Sequence, residues 1–288
     1  MPARTGTLGS TTVSRVGFGA MQLPGPGVMG PPRDHDEAVA VVRRAVELGV
    51  DHVDTASFYG PDVANRLLGE ALSPWPQHVA LVSKVGARRD EQGAWLAALA
   101  PDDIRRSVED DLRDTGAGRL TAVNLRLHDD TSDEVLRTGL RTLAGLVDEG
   151  LVGGVGVSTV DERQLALACD EVDVVCVQNQ YGLLDRSGER VLEAAGERGI
   201  AYVPYFPLGS AFGAAPRPAE HPTVQRVAAD LGVTPSQVAL AWLLHHADHV
   251  LLIPGTSSLA HLEENVAVRD VVLPDDAVAE LDALAPPA

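Results

Sequence analysis

The sequence predicts an α/β fold, a (β/α)8 TIM barrel preceded by an N-terminal β-hairpin. Eight short apolar runs rich in Val, Ile and Leu recur along the chain, as expected of parallel strands buried on both faces. Amphipathic stretches separate these runs, and such alternation of strands with helices favours a parallel sheet covered by helices. With 288 residues, of which 45% are hydrophobic, the chain fits one barrel domain over residues 1–288.

The predicted strands alternate with predicted helices from one end of the chain to the other. The opening segment RTGTLGSTTVSRVGFG (4–19) is typical of a small hairpin that leads into the first barrel strand. The eight barrel strands are predicted at RVGFGA (15–20), VDHVD (50–54), VALVSK (79–84), AVNLRL (122–127), VGGVGVS (152–158), VVCVQN (174–179), AYVPY (201–205) and VLLIP (250–254).

The intervening stretches carry the residues that start and stop helices. Segment 36–49, DEAVAVVRRAVELG, has acidic residues in its first turn and ends on a glycine, which suits a helix C-terminus. Segments 101–116 and 132–150 follow the same pattern. At the segment TPSQVALAWLLHH, Thr234 is a good N-cap and Pro235 suits the first helical position.

Charge and composition exclude several functional classes. A formal net charge of −18 argues against a general nucleic-acid or anionic-membrane binder, because attraction to phosphates needs clustered Lys and Arg. Cys169 and Cys176 have no metal or redox spacing, which predicts free thiols in a reducing compartment and no metal site. The N-terminus lacks an apolar signal segment, and no apolar run approaches the roughly 18 residues of a membrane span. We therefore expect a cytoplasmic protein without a nucleic-acid or membrane partner.

Polar residues at the ends of two neighbouring strands indicate where chemistry takes place, since barrel enzymes build their sites where strands end. Asp54 ends the second strand, Lys84 ends the third, and Tyr59 follows in the loop after the second. A buried Lys needs a partner, which Asp54 can supply, and a neighbouring cation favours the phenolate and lowers the pKa of Tyr59. The trio fits a general acid tuned by an ion pair. The spacing alone fits equally well a buried salt bridge with a coincidental tyrosine.

Seven motifs, in order along nearly the whole chain, resemble the aldo-keto reductase superfamily. They are GFGAMQL, DTASFYG, SKVG, GVGVST, VQNQY, PYFPLG and IPGTSSLAHLEEN. Each motif is weak by itself, but their common order makes the resemblance specific. It implies the (β/α)8 barrel, a monomer, and an NADP-dependent enzyme that transfers hydride reversibly between a nicotinamide cofactor and a small-molecule carbonyl or alcohol.

The resemblance also implies roles for individual positions. Tyr59 corresponds to the proton donor of the carbonyl oxygen, with the ion pair described above as its tuning pair. Ser158 and Gln178 correspond to residues that hydrogen-bond the nicotinamide carboxamide, and Tyr205 to the ring that stacks on the nicotinamide. The implied cofactor-binding residues are Gly19, Ala20, Met21, Asp54, Ser158, Thr159, Gln178, Tyr205, Phe206, Pro207, Leu208, Gly209, Ile253, Gly255, Thr256, Ser257, His261, Glu264 and Asn265.

Two departures from the family pattern concern the cofactor. The family usually has Asn where this chain has Thr159, which lacks the additional amide donor. Many members carry Lys and Arg where Gly255 and His261 stand, so binding of the 2′-phosphate would depend on Thr256, Ser257, helix N-terminal amides and His261. We expect NADPH as the cofactor, and NADH is not excluded.

The fourth strand runs into VNLRLHDD (123–130), which offers two candidates for the fourth catalytic residue of the superfamily. That residue is a His that hydrogen-bonds the substrate carbonyl. A gapless alignment from Gly116, the predicted end of the preceding helix, places Arg126 rather than His128 at its position. His128 would need the strand to slide by two residues, about 6.6 Å. We favour Arg126, a permanent cation that polarises the carbonyl and favours a substrate with an acidic group beside its aldehyde.

Two loops, at 25–34 and 86–95, should overhang the barrel mouth and shape the substrate pocket. Arg88 and Arg89, in the second loop, are expected to be solvated charges. The predicted substrate-binding residues are Phe58, Tyr59, Trp95, Arg126 and His128.

Several of these motifs together are similar to a bacterial aldo-keto reductase subgroup that includes a pyridoxal reductase. Pyridoxal carries a phenolic oxygen beside its aldehyde, which fits a cation at Arg126, so pyridoxal is the candidate substrate. Two alternatives stay open: a broad-specificity carbonyl reductase without a vitamin B6 preference, and a non-catalytic NADPH-binding regulatory protein. A metal-dependent hydrolase that uses His52 and Asp54 is disfavoured, because the other histidines lack ligand spacing.

Overall fold

A computed structural model describes residues 3–209 and 217–285 of the chain. Its strands are β1 (Thr5–Leu8), β2 (Thr11–Ser14), β3 (Phe18–Gly19), β4 (His52–Asp54), β5 (Ala80–Arg89), β6 (Trp95–Ala98), β7 (Ala122–Arg126), β8 (Val155–Ser158), β9 (Val174–Gln178) and β10 (Ala201–Tyr202). Parallel pairing joins β3, β4, β5, β7, β8, β9 and β10 in that order. The parallel sheet predicted from the apolar runs is therefore present.

The eighth position of the barrel is filled by residues 250–255, which form single bridges rather than a continuous strand. These residues bridge Tyr202 of β10 on one side, and Val16 and Gly19 at the first barrel strand on the other. The sheet therefore closes on itself, and the predicted (β/α)8 architecture is confirmed.

The predicted N-terminal hairpin is formed by β1 and β2, which pair antiparallel. Its turn contains Gly9 at a φ of +60°, a conformation that side-chain-bearing residues rarely adopt. Leu8 and Val13 pack into an apolar cluster with residues at the starts of barrel strands, among them Ala80 and Ala122. The hairpin thus covers the end of the barrel that lies away from the carboxyl ends of the strands.

Helices surround the sheet, and their ends carry the predicted caps. They are α1 (His35–Glu47), α2 (Val63–Leu72), α3 (Pro101–Thr115), α4 (Asp133–Asp148), α5 (Glu162–Glu171), α6 (Glu189–Glu197), α7 (Pro222–Leu231), α8 (Pro235–His246), α9 (Leu259–Ala267) and α10 (Asp275–Asp282), with 3-10 turns at Ala20–Gln22, Pro26–Val28, Pro218–Glu220 and Val268–Asp270. Thr234 and Gln237 form a reciprocal capping box at the start of α8. Gly116 ends α3 at a φ of +70°.

Residues 86–95, predicted to be a loop, form a second hairpin beyond the carboxyl end of the barrel. β5 continues to Arg89 and pairs antiparallel with β6, so that Arg89 lies opposite Trp95. The Asp90 carboxylate accepts hydrogen bonds from two backbone amides of the turn, at 3.0 and 2.7 Å, and closes it. The loop prediction was wrong because charged residues in the flanking strands conceal their alternation.

Within the described residues, no single helix is long and apolar enough to span a membrane. Helices α7 and α8, bent by 91° relative to each other, pass that test only when they are counted together. Most of α8 is buried in the protein core, which accounts for its apolar composition. The cytoplasmic location and the monomeric state expected from the sequence stay predictions.

Candidate active site

A buried ion pair lies at the carboxyl end of β4, next to β5. Lys84 Nζ is 2.5 Å from Asp54 Oδ1, and the two side chains are only 6% and 3% exposed. The ammonium group also donates to the Thr55 carbonyl at 3.1 Å, and Gln178 Nε2 donates to Asp54 Oδ2 at 2.9 Å. Such additional hydrogen bonds are what a buried ion pair needs to offset its desolvation. The structure thus brings Asp54 and Lys84 together as their positions at strand ends predict.

Tyr59 lies beside this pair in a turn after β4. Its amide donates to the Ala56 carbonyl at 3.0 Å, and Lys84 Nζ lies 5.0 Å from the centroid of its ring. Burial raises the pKa of Tyr59, and the charges of Lys84 and Arg126 lower it without reversing the shift. The expectation that Lys84 lowers the pKa of Tyr59 below its ordinary value is therefore wrong, because desolvation of the phenolate outweighs the nearby cations.

Lys84 is the one lysine of the sequence, and it stays charged. Burial lowers the pKa of Lys84, but Asp54 and Tyr59 raise it by more, so the net shift is upward. The site therefore keeps a permanent ammonium group beside the tyrosine.

Arg126 and His128 reach different places from the end of β7. Arg126, opposite Ser158 of β8, lines a cavity together with Tyr59. His128 lines a neighbouring cleft, and its Nε2 lies 2.9 Å from the Gly86 carbonyl. Because a carbonyl only accepts hydrogen bonds, Nε2 carries the proton and donates, so it does not accept from the Arg126 guanidinium 3.5 Å away. The geometry brings Arg126 to Tyr59 and places His128 outside their cavity.

The cavity beside Tyr59 has a volume of about 350 Å³, which suits a small molecule. It is lined by Met21, Phe58, Tyr59, Lys84, Trp95, Arg126, Ser158, Gln178, Gln180, Tyr205 and Phe206. The Phe58 ring makes edge-on contacts with Tyr59 at 5.3 Å and with Trp95 at 5.5 Å between centroids. The Arg126 guanidinium lies 5.7 Å from the Trp95 ring. Four of the five predicted substrate-binding residues share this cavity, and His128 is the exception.

Gln180 lines the same cavity, although sequence reasoning did not single it out. Its Nε2 donates to an Asp185 carboxylate oxygen at 2.6 Å. The sequence did indicate Gln180, because it follows Gln178 by two positions at the end of a strand, where the functional side chains of barrel enzymes lie.

Arg89 forms part of the wall behind the cavity. Its guanidinium carbon lies 4.2 Å from the centroid of the Trp95 ring, close enough for a cation–π contact. It also donates to the carbonyls of Gly93 and Gly27, at 2.9 and 3.2 Å. The expectation that Arg89 is solvated is wrong, because the hairpin stacks it on Trp95, whereas Arg88 is exposed as predicted.

A second groove meets this cavity at Tyr59 and Lys84. It is lined by Gly19, Met21, Gln22, Asp54, Tyr59, Lys84, Gln178, Pro204, Tyr205, Phe206, Pro207, Leu208, Gly209, Ile253, Pro254 and Gly255. Most of the residues predicted to bind the nicotinamide and pyrophosphate parts of a dinucleotide therefore lie along one groove.

The other predicted cofactor residues lie outside this groove. Ala20 is fully buried, and Ser158 lines the substrate cavity instead. Thr159, whose hydroxyl is 3.4 Å from the Tyr205 hydroxyl, adopts a φ of +60°, which a family Asn tolerates better than a β-branched residue does. The remaining predicted residues belong to the segment before α9 and to α9 itself: Thr256, Ser257, His261, Glu264 and Asn265.

Two features of the groove fit a nicotinamide dinucleotide. Gln178 Oε1 is buried and has no hydrogen-bond partner in the described part of the chain, so it is available to a carboxamide NH2. Gly19 and Gly255 approach each other too closely for side chains. A Cβ on Gly19 would lie 2.5 Å from the Ile253 carbonyl, and one on Gly255 would lie 2.6 Å from the Gly19 carbonyl. Bare backbone thus lines this part of the groove, which allows a phosphate-bearing ligand to come close.

The described residues contain no group of three or more His, Cys, Asp or Glu side chains arranged to hold a metal ion. His52, which precedes Asp54 on the same face of β4, is fully buried, and burial lowers its pKa. Cys169 and Cys176 are both free thiols.

The protein-family model described as the aldo/keto reductase family matches residues 15–286. This chain belongs to the aldo/keto reductase family. The match spans both the ion-pair region and the segment before α9, so the resemblance carried by the seven motifs is confirmed.

Curated relatives of this aldo/keto reductase match it over nearly its whole length. Pyridoxine 4-dehydrogenase of Escherichia coli K12 is 44% identical over 288 residues, which cover 99% of each chain. An uncharacterized oxidoreductase of Schizosaccharomyces pombe is 35% identical over 280 residues, 97% of this chain and 89% of the relative. The prediction that the chain is an oxidoreductase of the aldo-keto reductase type is confirmed.

Solved structures of aldo/keto reductases share the fold. An enzyme from Klebsiella pneumoniae, in complex with NADP and acetate, superposes with a TM-score of 0.84 at 26% identity and covers 99% of this chain and 96% of its own. The thermostable aldo-keto reductase Tm1743, in complex with the inhibitor epalrestat, gives 0.82 at 27% identity, with 97% and 99% covered. These likenesses agree with the closed barrel described above.

Proposed function

We propose that this protein is an NADPH-dependent aldo-keto reductase that reduces an aldehyde or ketone to the alcohol, with pyridoxal as a candidate substrate. The observation that carries the proposal is the buried Lys84–Asp54 pair beside Tyr59, where the substrate cavity meets the groove. Support comes from the Klebsiella enzyme, which was solved with NADP, and from the Escherichia coli relative, which is a pyridoxine 4-dehydrogenase.

Residues of the groove and its neighbourhood would hold the dinucleotide. Gln178 and Ser158 would hydrogen-bond the carboxamide, and the Tyr205 ring would stack on the nicotinamide. Thr256, Ser257 and the first amides of α9 would hold the 2′-phosphate. When bound, the dinucleotide supplies the hydride that the carbonyl carbon accepts.

Tyr59 would donate its phenolic proton to the carbonyl oxygen as that oxygen gains charge. A general acid must be protonated before the reaction, and burial, which raises the pKa of Tyr59, keeps it so. Lys84 and Arg126, whose charges oppose this rise, would stabilise the phenolate left after transfer. The Asp54 carboxylate would keep the ammonium group in place for this task.

Arg126 would set the substrate preference. Its guanidinium is permanently charged and offers several donors, so it can bind the carbonyl oxygen together with an acidic oxygen beside it. Pyridoxal presents its phenolic oxygen and aldehyde in this way. The rings of Phe58 and Trp95 add aromatic contacts for a planar substrate. Together these groups favour a small aromatic aldehyde with an acidic neighbouring group.

Steady-state oxidation of NADPH with pyridoxal and with a simple aliphatic aldehyde tests the proposal. We expect kcat/KM to be at least about tenfold higher for pyridoxal, because one charge-assisted hydrogen bond changes a rate by about that factor. Equal values would instead support the broad-specificity reductase. An absence of oxidation with every carbonyl compound, despite NADPH binding, would support the regulatory protein. The same assays with NADH measure the cofactor preference.

Substitutions in the cavity test the residue roles. Tyr59→Phe should lower kcat by about 10²- to 10⁴-fold, the usual contribution of a positioned general acid. Arg126→Ala should lower kcat/KM more for pyridoxal than for the aliphatic aldehyde. His128→Ala is the matched control two residues further on, and should change both values by less than about twofold. If only His128→Ala slows the reaction, the assignment of Arg126 is wrong.

A further inference from the structure

Asp111 is a buried carboxylate outside both the substrate cavity and the groove. It lies on α3, is fully buried, and accepts hydrogen bonds from Asn65 Nδ2 at 2.6 Å and from Ser83 Oγ at 2.5 Å. Both donors are neutral, so they offset only part of the cost of burying an ionised carboxylate. Because a buried carboxylate destabilises the fold at this position, its presence suggests a function.

Two routes lead from Asp111 to Lys84. Along the first, Thr55 Oγ1 donates to Asn65 Oδ1 at 2.7 Å, and the Thr55 carbonyl accepts from Lys84 Nζ at 3.1 Å. Along the second, Ser83 immediately precedes Lys84 in β5. Thr55 and Ser83 adjoin the two members of the ion pair in the sequence, so one carboxylate fixes the backbone beside both.

The charge of Asp111 changes near neutral pH. Burial raises the pKa of Asp111 to about 7, while hydrogen bonds from Ser83 and Asn65 and the charge of Lys84 lower it, and the charge of Asp62 adds to the rise. Lys84 therefore has a neutral acid nearby below this pH and a second carboxylate above it.

We propose that Asp111 is a positioning residue for the Lys84–Asp54 pair, whose ionised form holds Thr55 and Ser83 against α3 and so fixes the ammonium group at the active site. The inference rests on the role proposed above for Lys84 in turnover. An ionised Asp111 accepts from both neighbouring donors, which is the arrangement observed. A protonated carboxyl must itself donate to one of its neighbours, so neither link is then a charge-assisted hydrogen bond and both are weaker.

The single lysine makes the first test direct. Labelling the full-length protein with 15N-lysine gives one side-chain ammonium signal, that of Lys84. We expect its Nζ chemical shift to change with a midpoint near pH 7 in the wild type, and to stay flat there in Asp111→Asn. The new amide can accept from Asn65 and donate to Ser83, so the substitution removes the charge while keeping both contacts. Asp110→Asn, at a neighbouring position on α3, is the matched control, and its Lys84 Nζ chemical shift should still change near pH 7.

Turnover separates positioning from stability. With saturating NADPH, we expect the kcat of the wild type to rise through pH 7. Asp111→Asn should lower kcat by about tenfold at pH 8 and abolish this rise, with KM changed by less than about twofold. Thr55→Val cuts the first route, so Asp111→Asn should cost less in that background than it does alone.

Several results would overturn the proposal. They are a folded Asp111→Asn variant with the wild-type kcat and pH profile, a Lys84 signal that is flat near pH 7 in the wild type, and strictly additive losses in the double variant. Failure of the proposed function looks different, because the wild type would then oxidise no NADPH with any carbonyl compound, or Tyr59→Phe would keep the wild-type kcat, while the Lys84 signal still changes near pH 7. If Asp111→Asn does not fold, Ser83→Ala tests the same link. Its Lys84 signal must change at a higher pH, and an unmoved midpoint overturns the proposal.

Discussion

Asp54 and Asp111 are two buried carboxylates near Lys84, and they differ in what compensates their charge. Asp54 meets the Lys84 ammonium directly at 2.5 Å. Within the described residues, the hydrogen bonds to the Asp111 carboxylate come from two neutral donors, Asn65 and Ser83, and burial raises its pKa to about 7. A direct counter-charge offsets the desolvation of both partners, whereas neutral dipoles offset part of it. The first arrangement maintains a permanent charge pair, and the second makes the local charge depend on pH.

Removing the cation that pairs with Asp54 should have the largest effect on stability and activity. Lys84→Met leaves the Asp54 carboxylate buried without its cation, which should lower the free energy of unfolding by about 3–5 kcal/mol. Activity should fall by at least about 10²-fold, because the phenolate of Tyr59 loses its nearest cation. Urea unfolding and NADPH oxidation at pH 8 measure the two effects.

A double variant provides the control for this experiment. Lys84→Met combined with Asp54→Asn removes both charges, so it should recover most of the lost stability and none of the activity. If Lys84→Met alone changes the free energy of unfolding by less than about 1 kcal/mol, the pair is no more than a surface-like ion pair.

The barrel could be predicted, because parallel strands buried on both faces must be short apolar runs. The hairpin of β5 and β6 could not, since its strands carry Arg88 and Arg89, and the Asp90 side chain closes its turn. The weak pairing of residues 250–255 was also unpredictable. It depends on how the first strand and β10 approach each other, which no local pattern records.

The proximity of the active-site trio could be predicted, because the carboxyl ends of neighbouring parallel strands meet at one edge. Asp111 was missed because it lies in the acidic run EDDLRD (109–114), which is typical of a solvated helix face. The helical periodicity of α3 nevertheless indicated that Asp111 is buried. The buried residues of this helix, spaced three or four apart, are Ile104, Val108, Asp111 and Thr115. An acidic residue on this apolar stripe predicts a buried carboxylate.

Removing the charge of Asp111 should stabilise the protein, with a sign that follows from its pKa. The pKa of about 7 in the folded protein lies above the ordinary value of 3.8. The contribution of this group to stability is therefore complete below pH 3.8 and is lost as the pH rises to about 7. At about 1.4 kcal/mol per pKa unit, Asp111→Asn should gain up to about 4 kcal/mol over the wild type across this window.

Urea unfolding of Asp111→Asn, Asp110→Asn and the wild type between pH 4 and pH 8 measures this gain. As the pH rises, the free energy of unfolding of Asp111→Asn should increase relative to that of the other two proteins. A variant that is more stable but slower would indicate that the buried carboxylate is kept for turnover at the expense of stability. If the free energy of unfolding depends on pH in the same way in all three proteins, the charge of Asp111 does not affect stability, and the contrast with Asp54 fails.

Removing one donor from Asp111 should have the smallest effect and sharpens the comparison most. Ser83→Ala leaves the carboxylate with Asn65, which should raise the pKa of Asp111 and cost about 1–2 kcal/mol above pH 7, and less at pH 5 where the carboxyl is neutral. Ser187→Ala is the matched control, because Ser187 is exposed and its hydroxyl donates to the partly exposed Asp185 at 2.7 Å. Its cost should stay below about 0.5 kcal/mol, since water replaces the lost donor.

The difference between the stability lost in Ser83→Ala and in Ser187→Ala measures what burial adds to the same type of hydrogen bond. Equal losses would mean that water reaches Asp111 as it reaches the surface, and the contrast with Asp54 would then have no basis.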